Sequence, residues 1–197
     1  MRLPDNAAAN AYAGSPWRLG HAVRILAAGG LVSHPTEGVW GLACDPLDPA
    51  AVLHLLAAKR RAPDKGLILI AHTADALTPF LDGEPPAMAR ESWPGPVTWL
   101  LPASPGVPDW LTGGRTTLAV RVTDHPLAAA LCRAWGGPLV STSANRAGHP
   151  AALHGWQVRA ALRDYVDLFL AGDLQQPGRP SRIRDGTGHT IRGSGNA

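Results

Sequence analysis

The sequence predicts a single α/β domain built on a twisted, mixed sheet that is flanked by helices. The chain has 197 residues, which is enough for one compact domain with a substantial core. Hydrophobic residues make up 45% of the chain and charged residues only 17%, a composition that is globular and not disordered. Segments with helical and extended patterns alternate along the chain, and this interleaving is typical of α/β architecture.

The predicted elements follow from caps, turn residues and apolar patterns. Ser15 and Pro16 provide an N-cap and a first-turn proline for a helix that runs to Gly29. Asp48 caps a second helix, and the apolar run at residues 67–71 is typical of a strand covered on both faces. Further helices are predicted at residues 73–80, 86–91, 126–135 and 154–162, further strands at residues 31–34, 39–44, 97–101, 117–122, 138–142, 166–170, 181–184 and 190–192, and a flexible loop at residues 172–180.

We expect residues 15–197 to form the domain and residues 1–14 to be a flexible N-terminus. No apolar run approaches the roughly 20 residues of a membrane span, and the N-terminus lacks the pattern of a signal peptide. Cys44 and Cys132 belong to no Cys/His spacing, so we expect reduced thiols and no structural zinc. These features together predict a cytoplasmic protein.

A cluster of cations follows the second predicted helix. The formal net charge of the chain is +3, and its two lysines, Lys59 and Lys65, both lie in this cluster with Arg60 and Arg61. Three converging cations would bind a triphosphate well, because a charged hydrogen bond to phosphate is strong. The alternative is a solvated helix end, where cations are favoured by the helix dipole.

Hydroxyl and carboxylate side chains follow two of the predicted strands. Thr36 and Glu37 come after the strand that ends at Pro35, and Ser141 and Ser143 lie at the end of another strand. Ligands of α/β proteins bind at the carboxyl ends of strands, where such groups hydrogen-bond them. The alternative in each case is an ordinary turn or cap.

Arg121 lies in the middle of an apolar strand, at residues 117–122. A buried guanidinium is costly unless it is paired or binds an anion. The alternative is a solvent-facing position on a strand that is covered on one face only. The sequence has no Walker loop, no G-x-G-x-x-G and no nucleophile elbow, so a nucleotide site here would be of another kind.

Six short motifs occur in one order along the chain, and in this order they resemble the YrdC/TsaC family, the L-threonylcarbamoyladenylate synthases. The resemblance covers about residues 17–192 and is closest to the short TsaC form. It implies an α/β sheet around a large basic cavity. The motifs are Pro35-Thr36-Glu37, Lys59-x-Arg61 with Lys65-Gly66, Trp93-Pro94-Gly95-Pro96, Leu118-Ala119-Val120-Arg121, Ser141-Thr142-Ser143-Ala144-Asn145 and Pro180-Ser181.

The resemblance also implies a reaction and its site. L-threonine, bicarbonate and ATP would give threonylcarbamoyl-AMP and pyrophosphate, with Mg2+ arriving on the nucleotide and no protein nucleophile. A separate transferase complex would then modify adenosine 37 of tRNA, so tRNA contact is expected to be indirect or weak. The implied threonine-binding residues are Thr36, Arg121, Ser141 and Ser181, and the implied ATP-binding residues are Lys59, Arg61, Lys65, Thr117, Ser143, Asn145 and Arg192.

One residue departs from the pattern, and two other functions remain open at this point. Arg182 stands where longer relatives commonly have a small hydroxyl residue. A basic protein that binds structured RNA without chemistry would use the same cations. The YrdC-like domain of carbamoyl-transfer maturation proteins is the other alternative, although it normally sits in a much longer chain.

Overall fold

The computed structural model describes residues 15–192, so the expectation for residues 1–14 and the last part of the predicted domain lie outside the described residues. In the described part, six α-helices and nine strands follow one another. The helices are α1 Pro16–Ala27, α2 Pro49–Lys59, α3 Ala87–Glu91, α4 Asp109–Thr112, α5 Pro126–Trp135 and α6 Gly155–Leu162. The strands are β1 Val32–Pro35, β2 Trp40–Cys44, β3 Ile68–Ala71, β4 Val97–Pro102, β5 Thr117–Val122, β6 Leu139–Ser143, β7 Leu168–Phe169, β8 Arg182–Asp185 and β9 Thr190–Arg192.

The two predicted N-caps start their helices as expected. The Ser15 hydroxyl accepts a hydrogen bond from the Arg18 amide at 3.5 Å at the start of α1. The Asp48 carboxylate accepts from the amides of Ala50 and Ala51 at 2.8 and 3.2 Å at the start of α2. Each cap satisfies amides that the first helical turn leaves without a partner.

All nine strands belong to one mixed sheet, in the order β7-β1-β2-β6-β3-β5-β4-β8-β9. The pairs β1·β7, β3·β5 and β4·β8 are parallel, and the others are antiparallel. This confirms the predicted mixed α/β sheet in a single domain. The sheet is central, so the strands in its middle are buried on both faces.

Helices cover the two faces of the sheet and form two apolar cores. One core joins Leu26 of α1 and Leu131 of α5 to Ile70 and Leu139 of the sheet. The larger core, on the opposite face, contains Trp99 and the apolar side chains of α2, α4 and α6. Burying side chains of this size stabilises the fold by about 2 to 3 kcal/mol each.

The position of the site follows from strand alternation. Successive side chains of a strand point to opposite faces, so Ser141 and Ser143 lie on the same face of β6 as Leu139. In β3, Ile68 shares a face with Ile70 in the same way. Leu139 and Ile70 pack against α1 and α5, and beyond these helices the same face of the sheet lies open.

Four local features differ from the prediction. The helix predicted at residues 73–80 is a 3-10 helix, Asp75–Phe80, which contains Pro79. The strand predicted at residues 166–170 is reduced to Leu168–Phe169, where β7 pairs with β1 at the sheet edge. The helix α4 and the 3-10 turn Pro63–Lys65 were not predicted. Each spans three or four residues, which is too short for a periodic pattern.

The two cysteines are free and both are buried. Among the described helices, none combines the length and apolar character that crossing a membrane requires.

Candidate active site

A cavity of about 840 Å3 opens on the sheet face beyond α1 and α5. This volume is within the usual range of small-molecule and cofactor sites. Its described wall carries one carboxylate, that of Glu37, and is strongly basic. The arginines in this wall are Arg61, Arg121, Arg179, Arg182 and Arg192.

Most of the predicted site residues meet in this cavity although they lie far apart in the sequence. Four others, Lys59, Lys65, Thr117 and Asn145, are not part of its described wall. Thr117 is the first residue of β5 and lies on the same face of the strand as Arg121, which is near the other end. Lys65 is exposed. The predicted residues that line the cavity are Thr36, Arg61, Arg121, Ser141, Ser143, Ser181 and Arg192.

Thr36 and Ser181 present hydroxyl groups whose remaining hydrogen-bonding capacity can be read from their partners. The Thr36 hydroxyl donates to the Val39 carbonyl at 2.7 Å, so its oxygen is left as an acceptor. The Ser181 oxygen accepts from the Thr98 hydroxyl at 3.1 Å, so its own proton is left to donate. The two hydroxyls therefore offer complementary groups to a polar ligand.

Arg121 is buried and paired, which excludes the solvent-facing alternative. Its Nη2 lies 3.3 Å from Oε2 of Glu37, and the two side chains are 8% and 5% exposed. The other carboxylate oxygen accepts from the Thr123 hydroxyl at 2.7 Å and from the Asp124 amide at 3.0 Å. Burial raises the pKa of Glu37, but the Arg121 charge and these donors outweigh it, so the pKa lies below its usual value.

Lys59 is neither a solvated helix end nor part of the cavity wall. It is 3% exposed, and its ammonium donates to the carbonyl oxygens of Ser143 and of Asn145, the second at 2.9 Å. Burial, and then the positive charge of Arg61, lower the pKa of Lys59 to about 7. Lys59 thus ties the end of α2 to the loop that follows β6.

The loop after β6 directs Ser143 and Asn145 differently. The Ser143 side chain faces the cavity, while the Asn145 amide donates to the carbonyls of Arg146 at 3.2 Å and His149 at 2.6 Å. Asn145 therefore shapes the loop that carries Ser143.

Arg61 is the member of the cation cluster that reaches the cavity. Its Nη2 donates to the carbonyls of Lys65 and Gly66 at 3.2 and 3.0 Å, which fixes the guanidinium beside the entrance of β3. Burial and the nearby positive charge of Arg192 lower the pKa of Arg61. Two arginines that repel each other across a cavity are stabilised by an anion between them.

The segment of residues 173–181, which we call the strap, closes one side of the cavity. The Gln176 and Gly178 amides donate to the carbonyls of Glu37 and Gly38 at 2.6 and 2.9 Å. A Cβ atom at Gly38 would collide with the Arg179 carbonyl, so only glycine allows this close approach. The strap overlaps the flexible loop predicted at residues 172–180, and in the structure it is hydrogen-bonded to the turn after β1.

His34 lies beneath the cavity floor and is fully buried. Its Nδ1 lies 3.0 Å from the Pro35 carbonyl and donates to it, while Nε2 has no partner among the described residues. Burial lowers the pKa of His34 to about 4, so the imidazole is neutral at pH 7.

The sequence interpretation missed three groups of this site. The sequence interpretation places Glu37 at a strand end but does not assign it to the site, and that position at the end of a buried strand is its only signal. It does not include Arg179, and it treats Arg182 only as a departure from the family pattern. Both lie beside the predicted Ser181 in a Gly- and Pro-rich segment, and basic residues in such a segment are a weak signal for a cavity-lining loop.

Comparison with known proteins identifies the family. The Sua5/YciO/YrdC family model, which carries the description "Telomere recombination", matches residues 24–193. The threonylcarbamoyl-AMP synthase of Alkalilimnicola ehrlichii is 53% identical over 182 residues, which cover 89% of this chain and 95% of that protein. The threonylcarbamoyl-AMP synthase of Chromohalobacter salexigens is 52% identical over 179 residues, which cover 89% and 96%.

A solved structure shares both the fold and part of the sequence. Sua5 of P. abyssi in complex with L-threonine superposes with a TM-score of 0.82 and 32% identity, over 87% of this chain. This chain spans 51% of that Sua5 chain. The family model matches most of the chain, and two synthases are about half identical to it over 89% of its length. This chain therefore belongs to the Sua5/YciO/YrdC family.

Proposed function

We propose that this protein is a threonylcarbamoyl-AMP synthase, a nucleotidyltransferase that acts in the t6A modification of tRNA. L-threonine, bicarbonate and ATP are its substrates, and threonylcarbamoyl-AMP and pyrophosphate are its products. The relatives that match almost the whole chain at about half identity carry this name. The observation on this chain that carries the proposal is a single cavity whose wall combines a buried arginine, several hydroxyl side chains and further arginines.

Threonine binds at the part of the cavity formed by Thr36, Arg121, Ser141 and Ser181. A guanidinium matches a carboxylate in a planar, bidentate manner, so Arg121 receives the carboxylate of threonine. The Thr36 oxygen, as an acceptor, suits the amino group, and the serine hydroxyls complete the subsite. The L-threonine in the P. abyssi Sua5 structure supports the presence of such a subsite in this family.

ATP binds along the arginine-rich part of the wall, where Arg61, Arg192 and Ser143 face the cavity. Their charges neutralise the phosphates. Arg192 lies near the positive charges of Arg61 and of Arg121, and this repulsion is relieved when an anion lies among them. Lys59 and Asn145 support the loop that presents Ser143, and Lys59 reaches the nucleotide only if that loop rearranges. Lys65 and Thr117 contribute at the margin of the site.

The chemistry needs positioning and charge neutralisation. Bicarbonate loses water to give CO2, and the amine of threonine adds to the CO2 and gives up a proton to form a carbamate. The carbamate oxygen attacks the α-phosphorus of ATP, and pyrophosphate leaves. Holding both reactants in one cavity and neutralising the developing charge are the main sources of rate enhancement for such transfers. No nucleophilic side chain takes part.

Mg2+ arrives as part of the nucleotide substrate. The described residues contain no group of three His, Cys, Asp or Glu side chains with metal-binding geometry, and the Glu37 carboxylate is already held by Arg121. This donor set fits an ion that keeps its phosphate and water ligands. The ion neutralises phosphate charge when the nucleotide is bound.

The product is passed to the proteins that transfer the threonylcarbamoyl group to adenosine 37 of tRNA. This step belongs to the cytoplasm, and any contact of this protein with tRNA is weak or indirect. The identity to synthases over nearly the whole of their length favours this role over RNA sequestration and over the carbamoyl-transfer alternative.

Pyrophosphate release with each substrate omitted in turn tests the proposal. The purified protein should release pyrophosphate from ATP only when both L-threonine and bicarbonate are present. ATP turnover that is indifferent to threonine, or tight binding of structured RNA without turnover, would contradict it.

A further inference from the structure

The Glu37 carboxylate is contacted by three groups: the Arg121 guanidinium, the Thr123 hydroxyl and the Asp124 amide. Oε2 of Glu37 lies 3.3 Å from Nη2 of Arg121, and Oε1 is held by the Thr123 hydroxyl at 2.7 Å and the Asp124 amide at 3.0 Å. One of these donors is a backbone amide. The carboxylate therefore cannot swing, and its direction is set by the loop between β5 and α5.

Thr123 is itself fixed by its surroundings. Its hydroxyl oxygen accepts from the His125 amide at 3.2 Å while the hydroxyl proton is donated to Glu37. Both hydrogen-bonding directions of the hydroxyl are used, so it has a single orientation. The arrangement fixes one carboxylate oxygen, and the other oxygen, Oε2, forms an ion pair with Arg121 but no hydrogen bond.

The guanidinium of Arg121 has donors that Glu37 does not contact. Glu37 engages only Nη2, whereas Nε of Arg121 is buried and has no partner among the described residues. Arg121 lines the cavity and is 6% exposed. Because Arg121 borders the cavity and Glu37 lies against one of its nitrogens only, an anion in the cavity can pair with the exposed part of the guanidinium.

The main chain of Glu37 and Gly38 is hydrogen-bonded to the strap. The Glu37 carbonyl accepts from the Gln176 amide at 2.6 Å, and the next carbonyl accepts from the Gly178 amide at 2.9 Å. Glu37 thus connects the turn after β1 both to the loop after β5 and to the strap.

We propose that Glu37 is a positioning residue for L-threonine, which holds the Arg121 guanidinium so that its free edge receives the threonine carboxylate. The inference rests on the proposed function and adds a residue to it. Glu37 does not touch the substrate. It acts through Arg121, by fixing one nitrogen and by balancing a buried positive charge.

Steady-state kinetics of Glu37→Gln, which keeps the shape and removes the charge, tests this role. The KM for L-threonine should rise about tenfold or more, because the guanidinium loses its fixed partner, while the KM for ATP should stay within about twofold. Glu37→Asp keeps the charge at a shorter reach, and its KM for L-threonine should lie between those of the wild type and Glu37→Gln. Glu84→Gln removes a carboxylate from an exposed pair with Arg90 and is the matched control, with both KM values unchanged.

Thr123→Val provides the decisive variant if Glu37→Gln does not fold. It removes one hydrogen bond from the carboxylate and leaves the ion pair in place, so the KM for L-threonine should rise by about twofold to fivefold and that for ATP should not. Equal rises of both KM values, or an unchanged KM for L-threonine in a folded variant, would overturn the proposal. A wild-type protein that releases no threonine-dependent pyrophosphate would instead contradict the proposed function.

Discussion

Lys59 and Lys65 differ sharply in environment although a short turn separates them. Lys59 is buried and bonded to two carbonyl oxygens, whereas Lys65 is exposed. The sequence predicts a shared role because both stand in one cation cluster. The carbonyls that hold Lys59 belong to the loop after β6, so tertiary structure distinguishes the two lysines and sequence spacing does not.

Replacing Lys59 should therefore affect both stability and activity. Lys59→Ala leaves the carbonyls of Ser143 and Asn145 without their donor, so we expect the free energy of unfolding to fall by about 1 to 3 kcal/mol. The displaced loop should lower threonine-dependent pyrophosphate release by about tenfold or more. Denaturant unfolding and the pyrophosphate assay measure the two effects.

Lys65→Ala is the matched control for that variant. Because its ammonium is exposed and outside the described cavity wall, its free energy of unfolding should change by less than about 0.5 kcal/mol. A Lys65 variant that loses as much activity as Lys59→Ala would contradict the distinction between the two lysines.

A cavity residue was predictable from the sequence where burying its side chain without a partner would cost free energy. Arg121 stands inside an apolar strand, and a charge in such a place requires a partner. The identity of the partner was not predictable, because Glu37 and Arg121 meet only when β1 and β5 take their places in the sheet. The role of His34 was not predictable either, because a histidine in a buried strand can be a core residue or an active-site residue.

At the scale of elements, the strap and the turn after β1 form one unit. Two backbone hydrogen bonds join them, and the Arg179 carbonyl lies over Gly38, where it leaves no room for a side chain. The sequence showed a Gly- and Pro-rich loop but not the element against which it packs. Long strands and capped helices were predictable because their patterns are local, whereas the pairing of a loop depends on the whole fold.

Gly38→Ala should displace the strap. The added methyl group collides with backbone, which cannot move aside as a flexible side chain can, so the hydrogen bonds of the Gln176 and Gly178 amides should weaken. Amide hydrogen exchange at these two positions should accelerate by about tenfold or more, and the KM for L-threonine should rise.

Gly20→Ala makes the same chemical change where there is room for it. Gly20 is exposed in the interior of α1, with no atom within 4 Å of the added Cβ. Here alanine should raise the free energy of unfolding by about 0.5 to 1 kcal/mol and leave the kinetics unchanged. Unaltered exchange in Gly38→Ala would show that the strap is not held against this turn.

At the scale of the whole molecule, burial of titratable groups makes stability depend on pH. The pKa of His34 is lowered by burial to about 4, that of His125 is lowered mainly by burial, and that of Glu37 is lowered by Arg121 and its donors against the effect of burial. In each case the unfolded chain binds a proton at a higher pH than the folded protein does. Acidification therefore favours the unfolded state.

The free energy of unfolding should fall as the pH is lowered from 6.5 to 4. The contribution of His34 is fully present above pH 6.5 and is lost by about pH 4, and its shift of pKa corresponds to about 3 kcal/mol. Denaturant unfolding at several pH values measures the slope. His34→Leu removes this group and should flatten the slope, and a slope that stays the same would contradict the assignment of a buried neutral imidazole.

The architecture was the most predictable level of this protein. Alternating patterns indicate a mixed α/β sheet, and the ordered series of motifs resembles one family, to which the chain belongs. The shape of the cavity was not predictable, since its wall is drawn from the turn after β1, Arg61 beyond α2, the strap, four central strands and the last two strands of the sheet. The proposed function depends on this cavity, which forms only when these distant segments come together in the fold.

The most direct test of the central claim is the mass of the product formed from ATP, L-threonine and 13C-labelled bicarbonate. Synthesis in this cavity predicts threonylcarbamoyl-AMP that carries the label in its carbamoyl carbon, and Arg121→Met should form little of it at the same threonine concentration. A product that lacks the label, or AMP and pyrophosphate formed equally well without threonine, would contradict the account.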